Sequence, residues 1–377
     1  MRDLLELPIY AWARARSAQF TLQYIVLNSL ATLLPGPGGR KYAPPRRDID
    51  RLLRLHRGLT RLLREDSHEI ASGRTPLSVL KPESPAHMMT RIPLVLLDSW
   101  RVHSRRMRGR TTEFDTPARS RLDELPRYYR RNFHFQTDGY LSEESAEVYE
   151  HQVEMLFSGT ADAMRRLILR PLRERFGTGD GKGLRFLELG AGTGRATRFV
   201  KAAFPEAQVT AIDLSDPYLK HARRRLAEVG GVDFVRANAE DLPFKAEEFD
   251  AVYSVFLFHE LPRSVRLDII RESLRVTRPG GLIALVDSIQ TGDWKDADPV
   301  LPDFPRQFHE PFYRDYIAHP MEDVLEQAGL SGVQTHAGFL SKACWATRRE
   351  GRAGARKAPA SAPASDPAKK KPRKKKS

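Results

Sequence analysis

Between Leu184 and Glu260, residues able to do chemistry recur at the ends of successive apolar runs. The first set is Glu188-x-Gly190-x-Gly192-x-Gly194, three glycines in five residues directly after "LRFLEL". Such a turn leaves backbone N–H groups bare, so that a ligand can lie against the main chain. A phosphate loop would close with Gly-Lys-Ser/Thr, whereas this one closes with Gly194-Arg195-Ala196. A dinucleotide fingerprint would need a third glycine where Arg195 stands. The Glu188 carboxylate suits a cationic ligand and would repel a pyrophosphate. The second set is "AIDLS": Asp213 at this tip can accept both hydroxyls of a ribose, and the same position can also cap the following helix. The third is "ANAEDLPF", where Asn238, Ala239 and Glu240 flank a turn that could hold an adenine edge through backbone, amide or acid. The fourth is "VFLFHELP". His259 titrates near neutrality and could serve as a general base there, or could merely shape the site.

Tips of this kind need a scaffold that repeats strand, turn and helix. The strand candidates are "LRFLEL", "QVTAID", "VDFVRA", "FDAVYSVF", "GLIALVDS", "VQTHAGF" and "ACWATR", with amphipathic helices around 195–204, 216–229 and 264–277. This alternation predicts a Rossmann-like, doubly wound α/β sheet of seven mostly parallel strands. The last two strands, separated by a short turn, form a C-terminal antiparallel hairpin. The domain is expected over 141–350. Ser142 is set to cap a helix whose first turn holds Glu143 and Glu144. Residues 1–140 read as an α-rich extension, with helices over 1–34, from Asp48 to about Ile70, and from Arg91 to Arg110. Residues 351–377, rich in Ala, Pro and Lys, read as a disordered basic tail.

The motifs "LELGAGTG", "AIDLS", "NAEDLPF", "FDAVYSVFLFHEL" and "LRVTRPGGLIALVD", in this order across about 184–290, resemble the class I S-adenosylmethionine-dependent methyltransferases. The resemblance is to the subgroup of ubiquinone/menaquinone-biosynthesis enzymes. It implies S-adenosylmethionine as cofactor. It also implies that Glu188, Gly190, Gly192 and Gly194 hold the methionine end, and that Asp213 holds the ribose. Asn238 stands where this family often has Asp, and an amide there can still bond the adenine amino group. A His is common at the tip carrying His259. The later cluster "FPRQFHEPFYRDYIAHP" falls where this fold often inserts a substrate cover, so His309, Tyr313 and Tyr316 are candidates to line an acceptor pocket; solvent-facing loop positions are the alternative. The aromatic run Tyr128, Tyr129, Phe133, His134, Phe135 and Tyr140 could close the other side or could join the domains. No metal centre is expected.

The net charge of +14 belongs to the chain ends. Residues 1–145 hold 25 Lys/Arg against 16 Asp/Glu, and residues 351–377 hold ten against one. The tail is therefore expected to touch polyanions, nucleic acid or anionic membrane, without sequence preference. The uncharged stretch 17–39 contains Gln19, Gln23, Asn28 and Ser29, which suit a membrane span poorly. It reads as a docked helix or a membrane-surface helix. The single cysteine, Cys344, excludes an internal disulfide and is expected to be a buried, inert thiol. The chain is expected to be cytoplasmic, with peripheral membrane contact as the variant. There is no Asn/Asp-Pro-Pro-Tyr/Phe motif for methylating a base, no cysteine near the site for pyrimidine chemistry, and no paired-glutamate loop for arginine. A small aromatic, isoprenoid or lipid-like acceptor leads. A nucleic-acid-associated methyltransferase and a non-catalytic cofactor-binding scaffold are the alternatives.

Overall fold

Apolar alternation from Arg185 onward builds one sheet of seven strands: β1 (Arg185–Leu189), β2 (Gln208–Asp213), β3 (Val232–Arg236), β4 (Phe249–Val255), β5 (Thr277–Ser288), β6 (Gln334–Gly338) and β7 (Ser341–Thr347). The structure, a computed structural model, describes residues 3–33, 49–81 and 85–349. Strand order is β3-β2-β1-β4-β5-β7-β6. The first five strands are parallel, and β7 enters antiparallel between β5 and β6. This is the expected mostly parallel sheet with its terminal hairpin. The chain reverses its direction of growth between β1 and β4, and at such a switch point the carboxyl ends of the strands open a crevice.

The helices are α1 (Asp3–Leu33), α2 (Ile49–Ala71), α3 (Pro85–Arg108), α4 (Thr116–Arg119), α5 (Glu143–Leu156), α6 (Ala161–Arg166), α7 (Leu169–Phe176), α8 (Arg195–Ala203), α9 (Asp216–Arg225), α10 (Arg263–Val276), α11 (Phe304–Phe308), α12 (Tyr313–Ala318) and α13 (Met321–Gln327). Strand periodicity of two sorts the core onto both faces. Leu187, Leu189, Ile212, Val252 and Ile283 face α10, α12 and α13. Phe186, Val209, Ala251, Tyr253 and Ala284 face α7 and α8. Cys344 is buried in the first of these clusters, and burial raises its thiol pKa well above the ordinary value. Ser142 caps α5 as expected, its Oγ accepting from the Ser145 N–H at 3.2 Å.

The N-terminal helices are tied into the sheet domain. On α2, Leu59, Leu62, Leu63 and Ile70 are buried, which leaves its arginines on the other face. Gly58 lets the Trp294 ring lie against this helix, since a Cβ there would come within 2.2 Å of it. Arg166 donates two hydrogen bonds to buried Asp66, at 2.8 and 2.6 Å. Asp162 gathers three arginines: Arg16, Arg165 and Arg195. Breaking a buried pair by removing one partner typically costs about 3–5 kcal/mol, because the other charge is left desolvated. These pairs hold α1 and α2 in place against α6 and α8. The expected basic tail lies outside the described residues, as does the end of the 17–39 stretch. Among the described residues no helix is long and apolar enough to cross a membrane.

Candidate active site

The glycine loop joins β1 to α8 with Gly190, Gly192 and Gly194 at φ of 66°, 55° and 74°, a region closed to most side chains. A Cβ built on Gly192 meets nothing nearer than Tyr218 Cδ1 at 3.9 Å, so it would project into open space. That space is a cavity of about 90 Å³ at the switch point. Gly194 has another purpose: a Cβ there would lie 3.0 Å from Leu226 and 3.1 Å from Ala222, so its absence lets α8 approach α9.

Asp213, at the tip of β2, faces the same cavity. Its Oδ2 accepts from the Gly192 N–H and its Oδ1 from the Ser215 N–H, each at 2.8 Å. Helix capping falls to Ser215 instead, whose Oγ accepts from the Tyr218 N–H. Each Asp213 oxygen keeps a lone pair for a further donor. Burial pushes the Asp213 carboxyl up to about 6, against the lowering effect of those two N–H groups. Asn238 and Ala239 follow β3 and line the cavity with Leu214, Leu261 and Ile269, an apolar slot with one amide. Glu240 does not line it; its Oε2 takes the Tyr128 hydroxyl at 2.5 Å and the Asn238 amide at 3.1 Å. Glu188 is turned away beneath the loop. It shares the Phe186 face of β1, is 1% exposed, and accepts from Thr197 Oγ1 at 2.5 Å and the Tyr253 hydroxyl at 2.9 Å. Burial raises it to about 7 despite those bonds.

Five tyrosines line this cavity: Tyr128, Tyr129, Tyr140, Tyr149 and Tyr218. Tyr140 lies 6.2, 5.9 and 5.4 Å from the rings of Tyr129, Tyr149 and Tyr218, all measured between centroids. Such a wall of π faces suits a cation. Tyr129 and Tyr140 belong to the aromatic run in the sequence. Tyr149 on α5 and Tyr218 on α9 read there as ordinary helix positions.

A second cavity, of about 280 Å³, adjoins the first and shares Tyr149, Phe256 and Glu260 with it. Its walls come from α1 (Tyr24, Leu27), α3 (Val102, His103), α5 (Val153, Leu156) and the segment after β5 (Leu301, Phe304). Most of this lining is apolar. Phe256 sits between the cavities at φ 59°, a strained conformation for a bulky residue and one that concentrates at functional sites. His259 faces the second cavity. Its Nδ1 lies 2.6 Å from Asp287 Oδ1, which fixes the ring and leaves Nε2 as the other functional nitrogen. Asp287 Oδ2 in turn accepts from the Leu257 and Phe258 N–H groups. Burial would lower the His259 pKa, but the Asp287 charge and hydrogen bond, with Glu310 and Glu260 beyond, push it up to about 10. His259 is therefore held as an imidazolium at neutral pH.

Of the three acceptor-pocket candidates after β5, only Tyr313 lines the second cavity, with its hydroxyl 2.7 Å from Ser288 Oγ. Tyr316 is fully buried and donates to the Ser288 carbonyl. His309 packs beside Phe135, ring centroids 5.4 Å apart, and burial lowers its imidazole to about 4. The site also contains a group that spacing could not disclose. His134 lies 3.3 Å from Glu260 and 3.1 Å from Glu310, three residues from three distant segments.

Comparison with known proteins agrees with this geometry. Residues 186–281 match the family model described as a methyltransferase domain. A fatty-acid O-methyltransferase of Mycolicibacterium smegmatis is 32% identical over 148 residues, 39% of this chain and 53% of that protein. A ubiquinone/menaquinone biosynthesis C-methyltransferase of Ectopseudomonas mendocina is 36% identical over 115 residues, 29% of this chain and 44% of the relative. The chain thus spans about half the length of the curated relatives it matches. Among solved structures, human N-acetylserotonin methyltransferase in complex with S-adenosylmethionine aligns over 72% of each chain, at 15% identity and a TM-score of 0.47.

Proposed function

We propose that this protein transfers a methyl group from S-adenosylmethionine to a small lipid-like or quinone-like acceptor. The observation that carries the reading is the pair of adjoining cavities. One is floored by the glycine loop and Asp213, the other is apolar, and they meet at Tyr149, Phe256 and Glu260.

The residues present fit the cofactor. Gly192 leaves its backbone bare, Asp213 has lone pairs to spare for two hydroxyls, and Leu214, Leu261 and Asn238 form a slot for an adenine. S-adenosylmethionine supplies a methyl group on a positively charged sulfur. Methyl transfer from it is an in-line displacement, which needs alignment and dryness more than acid–base chemistry. The tyrosine wall offers π faces to the cation, and the helices α1, α3 and α5 line the second cavity. His259, fixed by Asp287, presents a charged N–H to an acceptor oxygen in the second cavity. In this reading its role is to position and stabilise that oxygen; an imidazole held at about pKa 10 takes up a proton poorly at neutral pH because it already carries one.

The acceptor class rests on the apolar lining, together with what the two relatives are named for. Leu22, Ile25 and Val26 on α1, and Ile92, Leu96 and Trp100 on α3, are large and exposed on two helices that also line the second cavity. They support contact with a lipid surface from which such an acceptor would enter. The charge of residues 351–377 supports a non-specific hold on polyanions. Isothermal titration with S-adenosylmethionine and its demethylated product tests the cofactor. Transfer of labelled methyl to a panel of fatty acids and reduced quinones tests the acceptor. Absence of binding by either cofactor form to folded protein would overturn the reading.

A further inference from the structure

We propose that His134, Glu260 and Glu310 form a binding site for a divalent transition cation, at the junction of the two cavities. One imidazole nitrogen and one oxygen from each carboxylate lie within 4.8 Å of one another. The ligands converge from three separate segments: the turn Phe133–Phe135, the turn Phe258–Glu260 after β4, and the loop between α11 and α12. Convergence from such distance is a product of the tertiary fold rather than of a local acidic run.

Glu310 supplies the independent sign of a missing partner. It is 1% exposed, and among the described residues neither of its carboxylate oxygens has a hydrogen-bond donor. Its contact with His134 Nδ1 at 3.1 Å is an ion pair without hydrogen-bond geometry. A buried carboxylate normally satisfies both oxygens with donors or a metal, because desolvation is costly otherwise. The other groups do not fill the deficit. Glu260 takes the Tyr140 hydroxyl, and the nearby Asp287 is committed to His259 and to backbone N–H groups. Three carboxylates thus share the neighbourhood with two imidazoles.

The donor set selects the metal. One imidazole with two carboxylates is a borderline-hard site, suited to ions from Mn²⁺ to Zn²⁺ rather than to soft, thiolate-seeking ions. A ligand shell of about 2.0–2.2 Å in radius places neighbouring donors about 3–3.5 Å apart; His134 meets Glu260 through Nε2 and Glu310 through Nδ1, so one carboxylate must swing to the ring nitrogen that the other already faces. His134 and Glu260 line the acceptor cavity, and Glu260 also lines the cofactor cavity. A cation here would contact an acceptor oxygen and stabilise its ionised form. That consequence rests on the methyltransferase reading, and it narrows the acceptor to an oxygen nucleophile; the binding site itself does not depend on it.

The test uses the full chain, stripped with a chelator and dialysed. Titration with Zn²⁺ and, separately, Mn²⁺ should show one tight site per chain, confirmed by elemental analysis after gel filtration. Glu310→Gln and His134→Ala should each weaken that site at least tenfold, while S-adenosylmethionine titrates as in the wild type. Glu260→Gln serves as the second carboxylate variant should either of these fail to fold, as judged by circular dichroism. Folded wild-type protein that takes up neither ion would overturn the proposal. So would a site unaffected by Glu310→Gln, since the metal would then sit on other histidines or acids. Loss of cofactor binding with the metal site intact would count against the methyltransferase reading alone, and the converse against the metal site alone.

Discussion

Lowering the pH should weaken cofactor binding through Asp213, and Asp213→Asn should remove that dependence. The Asp213 carboxyl is buried and sits at about 6, above its ordinary value of 3.8. Only the ionised form can accept hydroxyl donors on both oxygens while also accepting from Gly192 and Ser215. Above pH 6.5 the dissociation constant should therefore be flat. Below pH 6 it should rise, approaching about tenfold per unit well below the pKa, since one unit corresponds to ~1.4 kcal/mol. At pH 5 about one molecule in eleven carries the carboxylate, which predicts roughly tenfold weaker binding than at pH 7.5. The empty protein responds with the opposite sign. A carboxyl whose folded pKa is raised contributes stability below its unfolded value of about 4, and loses it as the pH climbs through 6. The free protein thus gains from acid what the complex loses, and thermal shifts at both pH values must be measured with and without ligand. At pH 7.5, Asp213→Asn should cost about 1.5–3 kcal/mol of affinity, the range for a hydrogen bond to a charged group. Glu188 also titrates, near 7, but its partners are Thr197 and Tyr253, so its effect should persist in the variant as a change in stability. Isothermal titration from pH 5 to 8 is the assay. A variant that keeps both wild-type affinity and the wild-type pH profile would refute the assignment of Asp213 to the ribose.

Four further outcomes are expected. Gly192→Val should reduce cofactor affinity at least a hundredfold in a protein that still folds, because its side chain would occupy the cavity at a φ of 55°; titration calorimetry reads this. Asp66→Ala should destabilise the fold by about 3–5 kcal/mol by leaving Arg166 buried without its partner, and the pair Asp66→Leu with Arg166→Met should recover most of the loss in chemical denaturation. Val102→Trp on α3 should fill the second cavity, abolishing methyl transfer to acceptors while cofactor binding stays within twofold. Truncation after Glu350 should remove most binding to RNA, DNA or anionic vesicles. In the full chain that binding should fall steeply between 50 and 200 mM salt, on the order of the thousandfold seen when several phosphates are neutralised, with cofactor affinity unchanged.

The sheet was legible because its signals are local. Short apolar runs alternating with amphipathic stretches placed all seven strands, and the helices 195–204 and 264–277 match α8 and α10 to within a residue or so. The cofactor end was legible for a related reason: the fold delivers the tips of β1, β2 and β3 to one crevice in chain order, so Gly192, Asp213 and Asn238 meet there. Glu188 shows what a motif alone leaves out. Strand parity puts it on the Phe186 face beneath α8, while the loop two residues later reaches the cavity. The candidates after β5 divide for a similar reason. The short helices α11 and α12 turn Tyr313 inward, yet spend Tyr316 on the Ser288 carbonyl.

The acceptor side was not legible, because its walls are assembled by contacts between residues far apart in the chain. Tyr24 and Val102 lie in a region without strand alternation or motif, and in sequence nothing distinguishes them from packing residues; His134 stood out only as one member of an aromatic run. Buried charge brings them to the site. Arg195, which displaces the third glycine of a dinucleotide loop, pairs with Asp162 at the head of α8, and Asp162 also holds Arg16 on α1. The glycine loop's helix α8 and the helix α1 that walls the second cavity are therefore braced on one carboxylate. The extension thus contributes to the site: the crevice at the carboxyl ends of the strands supplies one cavity, and α1 and α3 add Tyr24, Leu27, Ser99, Val102, His103 and Arg106 to the wall of the other.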